Sequence, residues 1–336
     1  LYAFLLQSTL QNEPNILVRP IAVFLGWILN FIYDIVYMMS PQLAFGISII
    51  LFTIVVRALM IPLAIKQQKS MAGMSKLAPE MEKIKKKYGD SKDPAQKQKM
   101  TAETQALYSK AGVNPLGGCL PLLVQFPIFI ALFYIMQQSY LFIEKMGEVY
   151  RQIGALAMQV TPDWVNPLRP IAAYKIAPGR EFDIGILSNL QKLFYSFTPD
   201  EWTSYLANIP SDIAAQMTPL VEQAAYERTL TWFVGIDLLA QPSLASVSIL
   251  IPLLCAITTF LQSWLMNKAT VATSDAMKMQ QRMMLIMMPI MMGWFTFTFP
   301  AGVGLYWLSS TVFHIFQQLV LNKKYLHKAD AAAKPA

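Results

Sequence analysis

Residues 43–65 read "LAFGISIILFTIVVRALMIPLAI". The run is 23 residues long and holds one charge, Arg57. About 20 apolar residues span a bilayer core, so this is a membrane-length segment. A charge well inside a bilayer costs about 2.5–3.5 kcal/mol on insertion scales. Arg57 precedes Lys66 by nine residues, roughly two and a half helical turns at 3.6 residues each. Two readings fit that spacing. The long side chain snorkels to the headgroups, or the guanidinium lines a water-filled cavity. Thr53 lies one turn earlier, on the same helical face.

Comparable apolar runs recur at 114–137, 243–266, 283–299 and 303–321. None of the five holds an Asp or Glu. The chain is 55% hydrophobic, its mean hydropathy is +0.40, and only 14% of its residues are charged. Soluble domains carry about 25% charged residues. The composition therefore predicts an all-α polytopic membrane protein with five transmembrane helices.

The connecting segments set its orientation. Residues 66–113 hold eleven lysines against five acids. Met71, Met74, Leu77, Met81, Ile84 and Tyr88 recur at helical steps there. Asp93 and Pro94 read as the N-cap and first residue of a second helix that ends at Gly112. The segment is thus a helical hairpin. The loop 267–282, with Lys268, Lys278 and Arg282, and the tail 322–336 are basic as well. The insertion 138–242 is rich in acids, and 300–304, "PAGVG", reads as a tight turn. The positive-inside rule places the basic segments in the cytosol, with the N-terminus outside and the C-terminus inside. In 1–42, an apolar stretch at 21–39 carries Gly26, Asn30 and Asp34 as a thin polar stripe. This suits an interfacial amphipathic helix, with a full span as the alternative. Two pieces of the insertion, 183–197 and 207–227, read as short amphipathic helices. Because the chain opens at Leu1 without Met, a removed signal segment or a trimmed end is expected.

Enzyme chemistry finds few parts. The histidines are His314, inside the last span, and His327, in the tail. No HExxH or GxSxG occurs, and Cys119 and Cys255 have no metal-site spacing. No catalytic residue, metal or cofactor is expected. The basic excess lacks the aromatic interleaving of a nucleic-acid module, so specific nucleic-acid binding is not expected either. What remains is a polar set on several spans: Arg57, Thr53, Gln125, Gln262 and the Ser309–Ser310–Thr311 run. Methionines cluster in 283–292, as lipid-facing or packing residues or as an adaptable apolar surface.

Four stretches together resemble one family. "TIVVRALMIPLAIKQQKSM" (53–71), "NPLGGCLPLLVQFPIFIALFYIM" (114–136), "MMLIMMPIMM" (283–292) and "FPAGVGLYWLSSTVFHIFQQ" (299–318) are similar, in order, to the YidC/Oxa/Alb membrane protein insertases. The resemblance implies five core helices around a hydrophilic groove open to cytosol and lipid. It implies that Arg57, Thr53, Gln125, Gln262, Tyr306 and Trp307 line that groove. It further implies a mobile cytosolic hairpin, nascent membrane proteins as substrates, the ribosome and the Sec translocon as partners, and residence in the bacterial cell membrane. The insertion 138–242 departs from the pattern, since five-span members usually carry a much shorter loop there. A transporter or channel is the alternative class.

Overall fold

A computed structural model describes residues 19–89, 93–112, 120–159, 168, 186–269 and 275–332. In chain order the helices are α1 (Arg19–Met39), a 3-10 turn (Pro41–Leu43) running into α2 (Ala44–Leu59), α3 (Ile61–Lys76), α4 (Ala78–Tyr88) and α5 (Pro94–Lys110). Then come α6 (Leu120–Gln137), α7 (Ser139–Phe142), α8 (Glu144–Gln159), α9 (Leu187–Tyr195), α10 (Pro199–Asn208) and α11 (Ser211–Thr229). A small hairpin follows, β1 (Trp232–Phe233) antiparallel to β2 (Ile236–Asp237). A 3-10 turn (Val247–Ile249) leads into α12 (Leu250–Ala269). The chain ends with α13 (Asp275–Arg282), a π-helical segment (Met283–Met287), α14 (Met288–Thr298) and α15 (Ala301–Ala332). The protein is an all-α membrane protein. Pro20–Met39, Pro41–Leu59 and Val247–Lys268 are long and apolar enough to cross a bilayer, and Gln125–Gln137 and Met283–Thr298 are shorter apolar helices.

Several boundaries differ from the sequence reading, and proline explains most of them. The 43–65 segment is not one helix. It stops at Leu59, turns at Met60 and restarts at Ile61. Pro62 has no N–H and sits in the first turn of α3, where that donor is not needed. Arg57 therefore lies in the last turn of α2. The 267–282 segment is not simply a loop, because α13 occupies its second half. In 283–299 the π-helical turn lies just before Pro289, whose missing N–H frees a carbonyl in that turn. "PAGVG" is not a tight turn: the chain reverses at Phe299–Pro300 and α15 begins at Ala301, whose N–H donates to Ala240 O at 2.8 Å. Nor does the last helix stop at 321, since α15 continues to Ala332. Residues 1–18, 90–92, 113–119 with Cys119, 160–167, 169–185, 270–274 and 333–336 lie outside the described residues.

The chain forms two compact units, 1–49 with 128–239 and 50–127 with 240–336. In the first, α8 packs on α9 and α11, and α1 packs on α7. The polar stripe of α1 faces protein rather than water. Asn30 Oδ1 accepts from the Glu144 N–H at 2.8 Å, and Asn30 Nδ2 donates to Asp34 at 3.1 Å. A Cβ at Gly26 would lie 2.2 Å from Phe142, so only glycine lets this ring seat. The opposite face of α1 exposes Phe24, Trp27, Phe31 and Ile35. The insertion's core holds an aromatic cluster: Tyr195 packs tilted against Tyr140 at 4.7 Å and edge-on against Tyr150 at 5.3 Å, and its hydroxyl lies 2.7 Å from Ser139 Oγ. Burial raises the pKa values of Tyr150 and Tyr195 above the usual phenol value.

In the second unit, α4 and α5 form the expected hairpin. Asp93 caps α5 by accepting from the Ala95 N–H at 3.0 Å, and Gly112 closes it with φ of 64°. Lys87 and Tyr88 on one arm both bond Glu103 on the other. Helix α12 packs against α14 and α15. The approach is close at small residues: Cys255 Sγ donates to Gly304 O at 3.3 Å, and a Cβ at Gly304 would lie 2.4 Å from Ile251. Small residues admit such backbone contact between membrane helices. The outer faces are apolar, with Leu253, Ile257 and Phe260 exposed on α12 and Ile286, Ile290 and Trp294 on the π segment and α14. Met283, Met287 and Met291 share that exposed surface, while Met292 is buried.

Candidate functional site

Helix α15 organises the polar residues. Tyr306, Ser310 and His314 stand at steps of four, one stripe of a helix. Each finds a partner on a different helix of the same unit. Tyr306 Oη accepts from Gln125 Nε2 on α6 at 2.8 Å. Ser310 Oγ accepts from Arg57 Nε on α2 at 2.7 Å, and Arg57 Nη2 donates to the same oxygen. His314 Nδ1 lies 3.0 Å from Gln262 Nε2 on α12. Beside this stripe, Trp307 Nε1 donates to Thr259 Oγ1 at 3.1 Å, and Thr311 and Thr258 share a hydroxyl contact at 3.0 Å. Helices α2, α6 and α12 are thus tied to α15 by hydrogen bonds within apolar segments.

The site residues expected from sequence fall into two groups. Arg57, Gln125 and Tyr306 meet along one stripe. Gln262 instead meets the far end of that stripe at His314, and Trp307, beside the stripe, bonds Thr259 of α12. Thr53 is fully buried and Tyr306 and Gln125 nearly so, whereas Arg57, Gln262 and Trp307 keep part of their surface. Thr53 therefore offers no surface to a bound molecule. Sequence reasoning named Ser310 only as one of three hydroxyls and His314 only as a histidine inside the last span. Their direct partners, Arg57 and Gln262, lie 253 and 52 residues away. The one signal in sequence is the four-residue spacing from Tyr306.

The electrostatics are unusual for an intramembrane charge. Such charges generally pair with another charge or with carbonyls. Among the described residues no Asp or Glu pairs with Arg57. Its bound partner there is a neutral hydroxyl, so no described residue compensates the positive charge. Also among the described residues, no group of three or more His, Cys, Asp or Glu side chains is placed to hold a metal ion.

Comparison with known proteins places this arrangement. An Oceanobacillus iheyensis protein named "Membrane protein insertase YidC" is 28% identical over 309 residues, covering 90% of this chain and 86% of that protein. One of the same name from Caldanaerobacter subterraneus is 30% identical over 304 residues, 90% of this chain and 95% of the relative. Both alignments are long enough to include the 138–242 insertion. A Bacillus cereus protein, "Membrane protein insertase YidC 1", is 45% identical over 120 residues, 34% of this chain and 46% of the relative. The family described as "60Kd inner membrane protein" matches residues 35–328. The chain belongs to this 60Kd inner membrane protein family, whose relatives here carry the name of the YidC insertases.

Proposed function

We infer that this chain is a bacterial membrane protein insertase, with nascent membrane proteins as its substrates. One observation carries the mechanism: Arg57, in the last turn of an apolar helix, is fixed by Ser310 and has no acidic partner among the described residues. A nascent membrane protein presents an apolar span and often a short acidic flank that must cross. In a medium of reduced dielectric, Arg57 attracts that flank more strongly than in water: about 4 kcal/mol at 4 Å for an effective dielectric of 20, against about 1 kcal/mol in water. The polar side chains along α15 and α12 hydrate the flank during part of the crossing. The apolar span then leaves sideways into lipid, driven by the transfer of apolar surface out of water. No bond is made or broken.

In this reading the α4–α5 hairpin, the basic 267–282 segment and the C-terminal end of α15 lie in the cytosol, with the N-terminus outside. The polar residues line a groove open to the cytosol and to lipid. The basic end of α15 suits the ribosome, and the Sec translocon is a second expected partner. Helix α1 lies in the interface or spans the bilayer; its length and its continuous apolar outer face permit both.

The test uses the purified protein in liposomes. A single-span substrate with an acidic flank is synthesised in their presence, and ion and solute flux is measured on the same vesicles. Insertion without flux is expected. Flux without insertion would establish the transporter or channel class instead.

A further inference from the structure

The hairpin at 232–237 carries a conflict between its backbone and its side chains. Val234 and Gly235 form the turn, with φ of 51° and 77°. A two-residue turn of this kind favours Asn or Asp before Gly. A β-branched residue in the left-handed region is a strained outlier. Yet this position holds Val, and it is 74% exposed, so no protein contact offsets the strain. Trp232, two residues earlier, is 50% exposed. Phe233, between them, points the other way into a notch at Gly46, where a Cβ would lie 2.2 Å from its ring.

That notch fixes where the tip sits. Gly46 belongs to the apolar stretch Pro41–Leu59 and lies about 7 Å along it from Pro41, at 1.5 Å per residue. The root of the hairpin is rigid: Asp237 accepts from the Thr231 hydroxyl at 3.2 Å and the Leu239 N–H at 3.0 Å, and pairs with Arg228. An apolar tip is therefore held, not merely tethered, beside the first helical turn of a membrane-length segment. Exposed Leu43 lies in that same stretch, so the tip continues a lipid-facing surface.

We propose that this hairpin is a membrane anchor, with Trp232 and Val234 entering the headgroup and upper acyl region of the leaflet at the Pro41 end of α2. Trp favours that zone, and an apolar element seats about 5–10 Å into it. Lipid contact supplies the return for the valine's strain that the protein itself does not. The proposal rests on Pro41–Leu59 lying in the bilayer.

The experiment uses full-length protein with Cys119 and Cys255 replaced by Ala. Single cysteines are introduced as Val234→Cys, Ile54→Cys and Glu222→Cys and labelled with an environment-sensitive fluorophore. The proteins are reconstituted in phosphatidylcholine–phosphatidylglycerol liposomes containing spin-labelled lipids. At 234 the expected result is blue-shifted emission, quenched more by shallow than by deep spin labels. Ile54, exposed on α2, should be quenched by deep labels, and exposed Glu222 by none. No other protein is present, so quenching reports lipid. Water-like emission at 234 with quenching at 54 overturns the anchor alone, and a tip that then shifts only when another protein is added is a protein-docking element. Water-like emission at both positions overturns the membrane placement of α2 itself.

Discussion

Around Arg57 the buried side chains include polar ones, Thr53, Gln125 and Ser310, among apolar ones such as Phe52 and Val56, and Ile54, Val55 and Leu59 are exposed. Around Tyr195 the buried side chains are aromatic, and Asp200, Asp212 and Glu222 are among those exposed. Both regions are helical and admit glycine at close contacts, Gly304 against Ile251 in one and Gly154 against Leu187 in the other. In lipid, apolar side chains gain nothing by turning inward, and helix association rests on packing and hydrogen bonds. In water, aromatic burial supplies the driving force. Among the described residues, the first arrangement holds Arg57 without an acidic partner. That is why the candidate site belongs to the Arg57 region; for the Tyr195 region we propose a folded domain that faces water.

The largest expected effect comes from removing that charge. Arg57→Ala should lower insertion of an acidic-flanked substrate by about tenfold or more, since tenfold corresponds to only about 1.4 kcal/mol. A neutral-flanked substrate should be affected far less. Arg57→Lys should retain most activity, because Ser310 offers one oxygen rather than a carboxylate fork. Equal loss for both substrates would erase the distinction between the two regions. Next in size, Gly46→Val should destabilise the fold by about 1–3 kcal/mol through overpacking against Phe233, read as a lowered Tm by intrinsic fluorescence. Tyr306→Phe removes the acceptor for Gln125 and should cost about 0.6–1.7 kcal/mol, the range for hydrogen bonds between membrane helices. A cost well above that range would make the polar stripe a structural core rather than a working surface.

The smallest effect sharpens the water-facing side. Glu227 is buried, its Oε2 has no hydrogen-bond partner, and burial raises its pKa above the ordinary carboxylate value, against the opposing pull of Lys145 and a hydrogen bond from Tyr37. The folded state then holds the proton more tightly than the unfolded state. Stability from this group is present below the unfolded pKa of about 4.3 and is lost as pH rises through the folded value. Glu227→Gln should therefore raise Tm at pH 8 and converge with the parent protein toward pH 4. Parallel curves would remove Glu227 from the pH dependence.

Much of this was legible in the sequence because it rests on local patterns. Apolar runs without acids gave the membrane-length segments, and the Asp93–Pro94 pair and Gly112 marked the ends of α5 by their capping chemistry. Arg57 stood out as a charge in an apolar run. The helix breaks were harder to read. A proline in a membrane segment is tolerated in a first turn and disruptive in a helix interior, and Pro62 and Pro289 take their roles from which of these the packing selects. Glycine was ambiguous for a similar reason: Gly304 suggested a turn but serves close approach to Ile251. The partners of the polar residues, Ser310 for Arg57 and His314 for Gln262, depend on helix packing across long separations. The aromatic core of the insertion has no period to reveal it.

The central claim is that the side chains along α15 and α12 touch a substrate in transit. Photocrosslinking amino acids at Trp307 and Gln262, which keep exposed surface, test it directly, with Trp294 on the apolar outer face as the comparison. Ribosome-bound nascent chains of a membrane protein with an acidic flank are stalled at successive lengths in the presence of the full-length protein in its membrane. Crosslinks from Trp307 and Gln262 at intermediate lengths, fading as the span reaches lipid, are the predicted result. Crosslinks from Trp294 alone, or from none of the three, would contradict the account.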